Sequence, residues 1–272
     1  MMNAILEDFT PHILANAIEA NMIAHSADLA RSPLVELHQD GRLIWSIGTT
    51  NYPRFNRILQ ARFPERDLDE KIMAALAPFC SRRYAGIWHT GPSTQPENLG
   101  EHLEAYGLRL AAREPGMAAD LQALPDQPEP VPGLVVEKID DLDGLRDWCR
   151  INAAAFGLPA ETVEATFAVE ATLEALPVPR RMLYLGRLQG QAVACAALFV
   201  DSSVAGLYSV GTLPDLRGRG IGSAVTIIAL QEAVGMGYRI ATLHASSKGE
   251  SIYRRLGFER YCTLSRYVWA SL

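Results

Sequence analysis

The chain has 272 residues, 49% of them hydrophobic and 21% charged, with a formal net charge of -6. That length allows one large domain or two ordinary ones, and the composition is that of a globular protein with a sizeable core. A general nucleic-acid or anionic-membrane binder is excluded by the missing basic field, and no apolar run approaches the roughly 20 residues that span a bilayer.

Met1–Thr10 carries acids and no basic segment, so it does not read as a signal peptide, and a cytoplasmic location is expected. Pro11 to Leu29 has helical periodicity. Leu34–Leu37 and Leu43–Ile47 read as strands that pair across Gln39-Asp40-Gly41. A helix over Leu68–Phe79, a strand over Tyr84–His89 and a helix over Pro96–Tyr106, stopped by Gly107, follow; Leu108–Ala119 is extended.

Residues 123–133 read ALPDQPEPVPG. Pro125, Pro128, Pro130 and Pro132 continue neither helix nor sheet, so this is the expected linker. It divides the chain into domains 1–124 and 134–272, joined by 125–133, each of ordinary size.

The second half opens with a strand over Leu134–Ile139. Asp140 or Asp141 caps a helix whose apolar face is Leu142, Leu145, Trp148, Cys149, Asn152 and Phe156; Gly157 and Pro159 end it. A second helix runs over Ala160–Leu176. Three strands come next, Met182–Leu188, Ala192–Val200 and Val204–Thr212, with turns at Gln189-Gly190 and Asp201-Ser202. The glycine run Arg217-Gly218-Arg219-Gly220-Ile221-Gly222 leads into a helix over Ser223–Met236. A strand over Arg239–His244, a short helix over Lys248–Leu256 stopped by Gly257, and a strand pair over Phe258–Trp269 complete a mixed α/β (α+β) sheet with helices on its faces. Ala105-Tyr106-Gly107-Leu108 and Arg255-Leu256-Gly257-Phe258 end the two halves alike, which suggests a diverged duplication. The first half has no glycine loop, since Ala61–Asp67 reads ARFPERD. Cys80, Cys149, Cys195 and Cys262 are scattered, without C-x-x-C or histidine at ligand spacing, so free thiols and no metal are expected.

The glycine run carries the chemistry. At a strand-to-helix turn the first helix amides have no intrahelical partner, and with the positive helix end they favour an anion. The bland alternative is a tight turn in which glycine only supplies unusual backbone angles. A Walker loop needs Lys then Ser or Thr, and Ile221-Gly222-Ser223 stands here instead; a dinucleotide fingerprint needs G-x-G-x-x-G, and here the spacing is G-x-G-x-G.

The strand Gly206–Thr212, the RGRGIG loop and Tyr253-Arg254-Arg255-Leu256-Gly257-Phe258 together resemble the GNAT superfamily of N-acetyltransferases. Arg217, Gly220 and Gly222 match its R/Q-x-x-G-x-G/A motif, and Tyr253 with Leu256-Gly257-Phe258 matches its closing signature. The resemblance covers the second half; the first is similar in architecture to the degenerate amino-terminal domain of tandem GNAT proteins. It implies two tandem GNAT-like domains and one acetyl-CoA site. The backbone of Arg217, Gly218, Arg219, Gly220, Ile221, Gly222 and Ser223 would hold the pyrophosphate, and Val210 and Thr212 would pair with pantetheine. Tyr253 would protonate the departing thiolate. Where the family often has asparagine, this chain has Ser246 as the expected cofactor contact.

The implied reaction is acetyl transfer to a primary amine, on a small molecule or peptide, by direct attack in a ternary complex. No nucleic-acid or membrane partner is expected, and the two halves would pair within one chain. His244, Glu170, Asp201 and Tyr208 are the candidate bases, and 155–161 is expected to shape the acceptor side. Two other readings fit the same residues: a non-catalytic module that senses acyl-CoA or binds protein, and a nucleotide-binding protein.

Overall fold

A computed structural model describes residues 5–124, 127–176, 180–201 and 203–270. Pro125 of the expected linker and Ser202 of the expected turn lie outside the described residues. The first half contains α1 (Pro11–Asp28), β1 (Val35–Gln39), β2 (Leu43–Gly48), β3 (Arg57–Ala61), α2 (Leu68–Arg82), β4 (Gly86–Thr90), α3 (Leu99–Ala105) and β5 (Arg109–Asp120). The second contains β6 (Leu134–Lys138), α4 (Leu142–Phe156), α5 (Thr162–Glu174), β7 (Arg181–Leu188), β8 (Gln191–Val200), β9 (Ala205–Thr212), α6 (Ile221–Gly235), β10 (Ile240–His244), α7 (Glu250–Arg255) and β11 (Glu259–Trp269).

The local signals act where chemistry dictates. Pro11 starts α1, where its missing N–H costs nothing. Asp141 caps α4 by accepting the Gly144 N–H at 2.6 Å, and Gly157 closes that helix at φ +63°. Trp148, the anchor of α4, is fully buried and donates from Nε1 to the Ala196 carbonyl at 2.9 Å. The expected apolar face of α4 is too long, because Leu142 and Phe156 at its two ends are 60% and 51% exposed.

The eleven strands of the described residues form one sheet, in the order β1-β2-β3-β4-β11-β5-β10-β9-β8-β7-β6. The two halves interlock at its centre. β11, the last strand of the second half, lies antiparallel between β4 and β5 of the first. β5 in turn pairs antiparallel with β10, from Ile240↔Asp120 to His244↔Gly116. The strand pair expected over Phe258–Trp269 is therefore a single strand. The physical reason lies in the run ERYCTLSRYVW, which contains no glycine, proline or asparagine at which a hairpin could turn. β3 has no counterpart among the expected elements; its five residues, RILQA, are too short and mixed to show a period.

Each face of β11 belongs to a different core. Tyr267 and Trp269 pack with Phe79, Trp88 and Leu103 of the first half. Leu264 packs with Leu14, Ile18 and Met22 of α1 and with Val204 and Ile240 of the second half. Trp269 is 6% exposed and donates from Nε1 to the Tyr84 carbonyl at 2.9 Å. Trp269→Ala is expected to cost about 3–5 kcal/mol. Because β11 joins both halves, that loss should appear in urea denaturation as one shifted transition followed by circular dichroism; two separated transitions would count against the interlocked sheet.

Candidate functional site

The sheet opens beside its centre. β9 and β10 are parallel but pair at only two positions, Ala241↔Ala205 and Thr242↔Gly206. On the other edge of β9 the register with β8 shifts between Cys195↔Gly211 and Ala197↔Tyr208, so Ser209 and Val210 stand opposite one residue. Ser209 takes φ +52° at this bulge. A bulge bends and twists its strand, and β9 leaves β10 there. Among the described residues no strand covers the β10 side of Val210–Thr212.

The glycine loop follows at the end of β9. Gly218 and Gly220 hold φ of +76° and +79°, and Gly220 is the N-terminal boundary of α6, with no capping side chain. An added Cβ at Gly218 would meet nothing within 4 Å, so left-handed backbone, not crowding, requires glycine there. α6 starts at Ile221, two residues earlier than expected, and the first helical bond is Ala224 N–H to the Gly220 carbonyl at 2.9 Å. The amides of Ile221, Gly222 and Ser223 therefore precede the helix's own ladder. Positive-φ glycines beside bare amides form a concave nest for anions, and this donor set fits a pyrophosphate. Arg219 is exposed at this loop. Arg217 braces the loop against two elements. Its guanidinium donates to the Thr212 carbonyl of β9 at 3.1 Å and to the Ala155 carbonyl of α4 at 2.7 Å.

Tyr253 on α7 is half-buried, packs on the core beside Phe258 with ring centroids 5.8 Å apart, and has its hydroxyl pushed above the ordinary range by burial. Ser246 serves the start of α7, accepting the Gly249 N–H at 3.2 Å. Arg254 pairs with Glu250 at 2.7 Å on the solvent side of α7.

His244 ends β10 at the opening, 24% exposed. Its Nδ1 lies 2.9 Å from Oε2 of Glu114, and the other oxygen of Glu114 accepts from Arg266 at 2.7 Å. Burial acts to raise the pKa of Glu114, but the hydrogen bond and charge of His244, with the charges of Arg266 and Arg57, outweigh it and hold the carboxyl below the ordinary range. The other candidate bases are engaged elsewhere. Glu170, 1% exposed, takes two bonds from Arg181 at 2.8 and 3.1 Å and one from Arg54 at 3.2 Å. Asp201 accepts the amides of Ser203 and Val204 and the amide nitrogen of Asn21. Tyr208 donates to Asn21 at 2.6 Å and stacks on His25 at 3.7 Å. Glu114 and Arg266 were not legible as site residues because strand pairing alone brings them to His244; the one signal was the single acid, Glu114, within the extended run Leu108–Ala119.

Residues 179–260 match the family model of the acetyltransferase (GNAT) domain. The mycothiol acetyltransferase of Streptomyces coelicolor is 27% identical over 201 residues, 71% of this chain; the chain spans 62% of that relative's length. A GCN5-related N-acetyltransferase from Kribbella flavida superposes with a TM-score of 0.70 at 22% identity, covering 93% of this chain and 95% of its own. A tandem GNAT protein from the clavulanic acid biosynthesis pathway covers 99% of this chain and 98% of its own, with a TM-score of 0.61 at 14% identity. Both halves thus take part in the GNAT fold. Among the described residues no helix is long and apolar enough to cross a membrane, and no group of three or more His, Cys, Asp or Glu could hold a metal.

Acid should weaken this region in a defined order. Burial holds His25 and His89 well below the ordinary histidine pKa of 6.5. Their neutral forms stabilise the fold above that value, and the unfolded chain takes up their protons as pH falls below it, draining about 1.4 kcal/mol per pH unit for each histidine. Glu114, depressed in the fold, contributes above 4.5 and loses its contribution as pH drops through its lower folded value. Urea denaturation from pH 7 to 3 should show wild-type stability falling from about pH 6.5. The cost of Glu114→Gln should be large at neutral pH and shrink below 4.5.

Proposed function

We propose that this chain, with a GNAT domain in its second half, is an N-acetyltransferase that moves an acetyl group from acetyl-CoA to a primary amine in a ternary complex. The observation that carries the reading is the opening between β9 and β10, with the positive-φ glycine loop after β9, His244 at the end of β10 and Tyr253 on α7 after it. Acetyl-CoA supplies an activated acyl thioester. The amides at Gly218–Ser223 would hold its pyrophosphate, with Arg219 adding charge. The uncovered backbone of Val210 and Thr212 would hydrogen-bond the pantetheine amides, since a long polyamide suits recognition by main chain. Ser246, bonded to Gly249, is available through its remaining hydroxyl capacity.

His244 accepts the proton of the acceptor ammonium through its Nε2, with Nδ1 held by Glu114. That carboxylate fixes the ring orientation and stabilises the imidazolium that forms. Tyr253 is kept protonated by burial and donates its hydroxyl proton to the departing sulfur. The linker at 125–133 would join a degenerate first domain without a cofactor loop, 1–124, to the acetyltransferase domain, 134–272. The first domain's contribution to chemistry is Glu114. The acceptor would lie on the α1 and α5 side of the sheet, where His244 faces.

Tyr253→Phe should lower kcat by about 10²–10⁴-fold, and His244→Gln should lower kcat/KM. Free-thiol release across an amine panel measures both; unchanged turnover in either variant would remove that residue's role. Gly220→Glu places a side chain and a negative charge in the nest, and calorimetry should find CoA binding abolished. Retained affinity would refute the loop assignment.

A further inference from the structure

The side of the sheet that His244 faces is a continuous polar row running into the first half. Register places the residues. Leu264 stands opposite Glu114, and Arg266 opposite His89 on β4. Arg57 pairs with Ile87, two residues from His89, and His244 with Gly116, two residues from Glu114. Alternation along a strand puts Arg57, His89, Arg266, Glu114 and His244 on one face. α1 covers part of the row, and its Ser26 accepts from Arg57 at 3.0 Å.

This row has more donors than the protein satisfies. The Nε–H donors of Arg57 and Arg266 are buried without a hydrogen-bond partner, and so is Nε2 of His89, whose role depends on the tautomer. His89 is only 4% exposed. Among the described residues no carboxylate reaches ion-pair distance of Arg57, whose charge is opposed first by burial and then by Arg54 and Arg266, which push its pKa down to about 9. A buried cation with an empty donor beside other cations is costly unless an anion completes it. Arg266 remains 38% exposed, so the row is reachable from solvent.

We propose that the acceptor amine carries a carboxylate, which seats on Arg57 and Arg266 while its amine lies at His244. The acceptor is then an amino acid or a similarly short amine carboxylate, a substrate class that rests on the acetyltransferase reading above. The size follows from Glu114, which His244 and Arg266 hold from opposite oxygens; the two side chains are separated by one carboxyl group. Planar guanidinium forks suit the two coplanar oxygens of a carboxylate. Arg57 and Arg266 are specificity residues, and His244 keeps its proton-accepting role.

The test pairs amino acids of small, apolar and acidic side chains with their carboxamides and aminophosphonate analogues, following free-thiol release from acetyl-CoA. Wild-type kcat/KM should favour at least one carboxylate over its carboxamide by about 10²-fold or more, as expected when buried polar groups lose their partner. In Arg57→Met that ratio should collapse towards one, and in Arg57→Lys, which keeps the charge without the fork, it should fall part of the way. Equal use of carboxylates and carboxamides, preference for the aminophosphonates, or an unchanged ratio in Arg57→Met would overturn the proposal. If no amine releases thiol, the acetyltransferase reading fails on its own. Calorimetry with N-acetyl amino acids then decides the carboxylate site: binding to wild type that Arg57→Met loses supports it, and no binding to wild type refutes it. Should Arg57→Met fail to fold, Arg266→Gln takes its place in both measurements, with the same collapse expected.

Discussion

The seating of β11 between β4 and β5 governs the architecture of both halves. This strand begins in the second half, at Glu259, and ends with Trp269 buried in the first. Without it β4 and β5 would be unpaired edges in the middle of the sheet, and Trp88 and Phe79 would lack the aromatic wall formed by Trp269 and Tyr267. With it, neither half owns a complete sheet. The proline-rich stretch separates the halves along the chain, while hydrogen bonding joins them in space.

The opening at the site is a consequence of that arrangement. β10 is fully paired with β5, so it stays in the sheet after its contact with β9 ends. The bulge at Ser209 turns β9 away, and the strand that departs leads into the glycine loop. A gap in a sheet exposes main-chain groups that would otherwise be satisfied. Here those groups lie between a nest of helix amides and a histidine, which suits a substrate pair of which one member is long and amide-rich. The same pairing of β5 with β10 delivers Glu114 to His244, so the first half reaches the site through a strand instead of a loop.

Electrostatics separates two groups of arginines on the α1 and α5 side of the sheet. Arg181 and Arg54 are paired with Glu170, and this network ties the loop before β3 to α5 and β7. Along the polar row Glu114 pairs with Arg266 and His244, no carboxylate among the described residues reaches ion-pair distance of Arg57, and the Nε donors of both arginines are unpartnered. A matched buried pair needs no ligand to be stable, whereas an unmatched one stores a demand for an anion. The difference between the two groups is a carboxylate at ion-pair distance, which Arg54 and Arg181 have and Arg57 lacks among the described residues.

Elements whose signals are local were legible in the chain alone. Asp141 and Gly157 bound α4, and Gly218, Gly220 and Gly222 with Tyr253-x-x-Leu256-Gly257-Phe258 carried the resemblance to an acetyl-CoA enzyme. These features survive reading in one dimension because a cap, a positive φ or a phosphate nest needs only neighbouring residues. Packing in three dimensions was needed to show that residues 259–269 form one strand and where it goes, that Ser246 and Arg217 hold backbone, and that Glu114, Arg57 and Arg266 stand on the face of His244. Strand pairing between residues more than a hundred positions apart leaves no period or spacing in the chain, because its partner is chosen by the packing of two cores and not by adjacent residues.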